Sequence, residues 1–106
     1  MALKLPDFLH PYETQIRAKI PVGWEEKPNK NGDGWIWYDP SLPDKRRVRI
    51  DDANPKGSYV QQVAHVRVNT ENGIVTINGT LIPSGKLPEA HIPLSEYIYW
   101  STWYEP

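Results

Sequence analysis

Two histidines and three arginines hold the chemistry this chain could perform. His65 and Arg67 stand two positions apart, as do Arg47 and Arg49, and His91 lies downstream. An imidazole moves a proton near neutral pH. A guanidinium holds a phosphate through two parallel hydrogen bonds and stabilises charge growing on its oxygens. Together these groups suit cleavage of a phosphodiester. RNA brings its own nucleophile, the 2′-hydroxyl, so a base, an acid and electrostatic stabilisation suffice, and no cofactor is called for. His65, His91, Arg49 and Arg67 are therefore the candidate catalytic residues. Arg47, Lys56, Tyr59 and Gln61 are the candidate substrate contacts. For the second proton-transfer group His91, Asp51 and Tyr59 all qualify by type, and His91 is favoured.

Each of these residues also has a plainer reading. A histidine beside arginine on a strand is often only a surface residue, and Asp51 could simply pair with Arg49 or Arg67. Gln61 and Gln62 could read a base edge or merely line a sheet. The same basic face could serve a non-catalytic module that binds RNA or an acidic protein. A metal-dependent deoxyribonuclease is less well supported, because no paired His and acidic ligands have suitable spacing.

Strand alternation is what would gather the polar residues, since successive side chains point to opposite faces of a sheet. Over 46–51, Val48 and Ile50 face one way and Arg47, Arg49 and Asp51 the other. Over 61–68, Ala64, Val66 and Val68 oppose His65, Arg67, Gln61 and Val63. If these strands pair across the 52–59 connection with their apolar sides together, the arginines and His65 share one surface. His91 joins it only if the chain after Pro88 folds back over the sheet.

The supporting elements read as α+β: an N-terminal helix on a small twisted antiparallel sheet of four to five strands, then a short C-terminal helix or turn. Tyr12, Ile16 and Ile20 recur every four positions, and Pro11 and Pro21 bracket them, which predicts a helix near 11–20 that covers one face of the sheet. Residues 24–34 collect Pro28, Asn29, Asn31, Gly32, Asp33 and Gly34 and predict a loop. Strands are expected near 35–38, 46–51, 60–68, 73–77 and 80–82, with reversals at Asn72-Gly73 and Asn78-Gly79. Trp35-Ile36-Trp37-Tyr38 could stack on bases, yet aromatics at strand spacing are mostly core. Tyr97, Trp100 and Tyr104 have helical spacing, with Ser95 as a possible cap; a final strand is the rival reading.

A chain of 106 residues reads as a single domain over 1–106, with a helical segment over 1–23 and the sheet and aromatic tail over 34–106. At 39% hydrophobic residues its core must lean on five Trp and six Tyr. The absence of Cys excludes disulfides and thiolate metal sites. Apolar runs too short to span a bilayer, and an N-terminus without a signal-peptide pattern, predict a soluble chain that engages no membrane. The net charge of −1 does not mark a bulk nucleic-acid binder. Between Lys45 and Arg67, however, six cations (Lys45, Arg46, Arg47, Arg49, Lys56, Arg67) face two acids (Asp51, Asp52). This basic stripe on an acidic body can steer a polyanion.

Several blocks carry a family resemblance: Gly34-Trp35-Ile36-Trp37, Asp39-Pro40, Val48-Arg49-Ile50-Asp51, Gln61-Gln62-Val63-Ala64-His65-Val66-Arg67 and Ala90-His91-Ile92-Pro93-Leu94-Ser95. Over roughly 23–106 the chain resembles C-terminal nuclease domains of bacterial polymorphic, contact-dependent toxins, with the architecture of barnase, colicin and RelE ribonucleases. The resemblance implies a toxin that cleaves RNA in the cytoplasm of a bacterial cell and is neutralised by a cognate immunity or antitoxin protein. It also implies that Arg49, His65, Arg67 and His91 matter most. Two features depart from the pattern. Ala64 stands where the family often carries a polar residue, commonly Asp, before the histidine. The chain also begins at Met1 with no long stalk, which fits either a free-standing relative or an excised domain.

Overall fold

The computed structural model describes residues 5–29, 34–54, 56, 62–84 and 88–104. A 3-10 turn over Asp7–Tyr12 leads into helix α1, Glu13–Arg17. Strands follow as β1 (Glu25–Pro28), β2 (Gly34–Tyr38), β3 (Arg47–Asp51), β4 (His65–Thr70), β5 (Gly73–Val75) and β6 (Leu81–Ile82). A 3-10 turn over Pro88–Ala90 precedes β7 (Ile92–Pro93), which runs directly into α2 (Leu94–Tyr97). Among the described residues no helix is long and apolar enough to cross a membrane.

The protein is α+β, with all strands in one antiparallel sheet. Strands β1 to β6 follow one another as a meander, and β7 pairs with β4 on the edge that β5 leaves uncovered. Gly79, at φ +81°, makes the β5–β6 reversal, where a residue without Cβ enters the left-handed region at no steric cost. Seven strands replace the expected four to five. The extra ones are β1, within the segment expected to be a loop, and β7.

One face of the sheet is the core. Trp35, Trp37, Val48, Ile50, Val66 and Val68 alternate inward and are buried. Leu9 and Ile16 cover them from the N-terminal side, and Leu94, Tyr97, Trp100 and Trp103 from the C-terminal side. The N-terminal helix is shorter than expected, with a 3-10 turn in place of its first part. Pro11 lies inside that turn, where its missing N–H interrupts a regular α ladder. The C-terminal helix starts earlier than the aromatic spacing predicts and is capped by no side chain; Ser95 lies within it. Buried Lys19 ties the two covers together, donating from Nζ to the Ile98 carbonyl at 2.8 Å. Arg17 spans from α1 to β1 with a two-point bond to Glu26, at 2.6 and 2.9 Å.

Candidate active site

The other face of the sheet carries the polar residues, and its register brings them into rows. Lys27, Ile36, Arg49 and Arg67 lie directly across from one another on β1, β2, β3 and β4. The next row toward one end is Gly34, Asp51, His65 and Pro93; toward the other it is Glu25, Tyr38, Arg47 and Asn69. Alternation thus places Arg47, Arg49, His65 and Arg67 on one surface, as the sequence predicts. Ile36, buried within the arginine row, gives that surface an apolar floor.

His91 reaches the same place. Its backbone N–H closes the Pro88–Ala90 turn by donating to the Pro88 carbonyl at 3.0 Å. The pairing of β7 with the start of β4 then lays His65 opposite Pro93. Ile92 points into the core, so His91 beside it falls on the polar side. The two imidazoles lie 5.4 Å apart between centroids, tilted by 57°.

His65 is buried, and its Nδ1 lies 2.8 Å from the Val63 carbonyl. A carbonyl only accepts, so Nδ1 carries a proton, and in the neutral form of the ring Nε2 is the acceptor. Asp51 Oδ2 is 3.9 Å from that nitrogen. The Asp51 carboxylate is itself engaged on both oxygens. Oδ1 accepts from Asn29 Nδ2 at 2.6 Å and Oδ2 from Arg49 Nε at 2.7 Å. Of the three groups proposed for the second proton transfer, His91 has the geometry and Asp51 is committed to Asn29 and Arg49. Tyr59 lies outside the described residues, as does Gln61.

The arginines crowd one another. Arg49 and Arg67 are a directly opposed pair, and Arg47 is two residues from Arg49 on the same face. Burial is the main influence lowering the Arg67 pKa, followed by the charges of Arg49 and Arg47. Arg47 is lowered by burial and by Arg49, against the pull of Asp44. Among the described residues, the buried Nε atoms of Arg47 and Arg67 have no hydrogen-bond partner. Like charges directly opposite across strands are unfavourable, so this cluster gains from an anion seated on it.

The basic stripe divides between the two sides of the sheet. Arg46 faces the core side, paired with Asp39 at 3.2 Å and Glu71 at 3.1 Å and lying over the Trp103 ring. Lys45 is exposed. Lys56 stands exposed in the connection after β3, with its N–H held by Asn54 Oδ1 at 3.1 Å. Two residues of the site were not among the sequence candidates: Asn29, which holds Asp51, and Gly34, which lies opposite it. Gly34 at a strand start was the visible signal, whereas nothing local marks Asn29. Among the described residues no group of three or more His, Cys, Asp or Glu is arranged to hold a metal ion. Compared with known proteins, the chain matches no family model, no curated protein and no solved structure.

Proposed function

We propose that the protein is a metal-independent endoribonuclease that uses this face. The observation that carries the reading is the His65–His91 pair at 5.4 Å, set beside three clustered guanidinium groups. His65 Nε2 takes the proton of a ribose 2′-hydroxyl as its oxygen attacks the adjacent phosphorus, and Asp51 Oδ2 stabilises the charge the ring then bears. His91 donates a proton to the departing 5′-oxygen, so the products are a 2′,3′-cyclic phosphate and a free 5′-hydroxyl. Arg47, Arg49 and Arg67 hold the phosphate and stabilise charge on its non-bridging oxygens.

The resemblance to polymorphic toxin nucleases supports the same reading. It extends it to a toxin acting in a bacterial cytoplasm and blocked by an immunity or antitoxin protein. Purified protein incubated with RNA in EDTA is expected to yield fragments ending in 2′,3′-cyclic phosphate. Replacing the ribose at the cleaved position by 2′-deoxyribose should abolish the cut. Loss of cleavage in EDTA, or full activity in His65→Ala, would overturn the mechanism; salt-sensitive binding with no products would instead mark a non-catalytic RNA-binding module.

A further inference from the structure

Asp51 is clamped from three sides. Its Oδ1 accepts from Asn29 Nδ2 and its Oδ2 from Arg49 Nε. Gly34 lies directly opposite it on β2. A Cβ on Gly34 would sit closer than 3.0 Å to both Asp51 Oδ1 and the Ile50 carbonyl oxygen, and the latter is backbone that cannot swing away. Asn29 in turn donates its own backbone N–H to the Gly34 carbonyl at 3.1 Å. One residue thus closes the β1–β2 connection with its main chain and grips the carboxylate with its side chain. The carboxylate holds Arg49 by Nε, which leaves the terminal donors of the guanidinium fork to a ligand.

We propose that Asn29 and Gly34 are positioning residues for the anion site. They fix Asp51, and Asp51 fixes Arg49 opposite Arg67 as the preset member of the phosphate-holding cluster. Arg67, directly opposite Arg49, and Arg47, which Asp44 approaches at 3.6 Å, complete the cluster through their terminal guanidinium nitrogens. This inference rests on the ribonuclease reading for its ligand, a phosphodiester of RNA, but not on His65 or His91.

The test uses two measurements on the full chain. The affinity for a 2′-O-methyl RNA oligonucleotide, which has no free nucleophile, reports the anion site alone, and cleavage of the unmodified oligonucleotide reports the chemistry. Asn29→Ala removes one hydrogen bond to a charged group at a half-buried position and is expected to weaken binding by about tenfold. Asn29→Asp sets two carboxylates against each other. It should bind worse than Asn29→Ala at pH 8 and regain affinity relative to wild type as the pH falls, when the pair shares a proton. Among the described residues, the other charged or titratable groups facing Asp51 are Arg49, His65 and Arg67. All are present in both variants, so the pH dependence of the difference between Asn29→Asp and Asn29→Ala reports the added carboxylate.

Gly34→Ala should weaken binding further; if it does not fold, the two Asn29 variants decide. Unchanged binding in Asn29→Ala and Asn29→Asp, with normal thermal midpoints, would overturn the proposal while leaving the ribonuclease reading intact. Weakened binding in these variants, in a protein that cuts no RNA, would uphold the clamp and overturn the ribonuclease reading instead.

Discussion

His91 lies against His65, ring centroids 5.4 Å apart, because the two-residue strand β7 pairs with the first two residues of β4. The contact brings a second proton carrier to a histidine whose Nδ1 is already committed to a carbonyl. If the rings divide the work of base and acid, removing either should lower cleavage by roughly 100- to 10,000-fold. His65→Gln and His91→Gln should each show this loss in a fluorogenic RNA assay while still binding the 2′-O-methyl oligonucleotide. Bacterial expression gives a parallel readout of the proposed toxin activity: if the chain cleaves RNA in the cell, wild type should yield few transformants, and either variant should be tolerated. Loss of binding together with cleavage would show that the histidines shape the face rather than catalyse.

The arginine cluster sets a trade between stability and binding. The lowered pKa of Arg67, from burial and from Arg49 and Arg47, means that the folded state disfavours its charged form. Arg67→Met removes that penalty and keeps the length of the side chain. Its thermal midpoint should rise, by roughly 4 °C for each kcal/mol relieved. Inorganic phosphate should raise the midpoint of the wild type by mass action and leave that of Arg67→Met much less affected. A midpoint that falls in Arg67→Met would show that packing by the arginine stem outweighs the repulsion.

Salt dependence counts the contacts. With Arg47, Arg49 and Arg67 gathered on one phosphate of single-stranded RNA, log K should fall with log salt at a slope of about −0.7. Arg67→Met should lower the affinity at every salt concentration while changing the slope little. A titration of the 2′-O-methyl oligonucleotide from 50 to 300 mM salt measures both. A wild-type slope near zero would remove the arginines from the interface.

What could be read in the chain follows from the range of the interactions involved. Arg47, Arg49, His65 and Arg67 share a face because alternation with period two is local, and the β-branched residues between them declare the buried side. Strand β1 leaves no strand pattern in the sequence because Glu25–Pro28 has the composition of an edge strand: two acids, a lysine and a proline, residues that guard exposed edges and are poor strand formers. The place of His91 depends on β7, a pairing between residues far apart in the chain and too short to leave a periodic pattern. The same holds for the Asn29–Asp51 bond, which joins the end of one strand to a side chain two strands away. Splitting of the basic stripe was in principle legible, since Arg46 and Arg47 are adjacent and must point to opposite faces.

Away from the site, Arg17 and Glu26 predict a response to acid. The Arg17 fork is the main cause holding the Glu26 pKa below its ordinary 4.5, and burial opposes it. The Trp35 and Trp37 indole N–H groups also favour the carboxylate, although neither lies in hydrogen-bond geometry. A carboxyl whose folded pKa lies below the unfolded value contributes stability that is fully present above about pH 4.5 and is lost as pH falls through the folded value. The Glu26 side chain is 23% exposed and Arg17 35%, so solvent screening keeps the contribution to about 1 kcal/mol. Glu26→Gln should therefore lower the urea midpoint at pH 7 and leave it nearly unchanged at pH 2. The wild type should lose the difference on acidification, and its slope of stability against pH below 4.5 should exceed that of the variant. Equal destabilisation of Glu26→Gln at both pH values would show that side-chain packing, not the ion pair, is what the residue contributes.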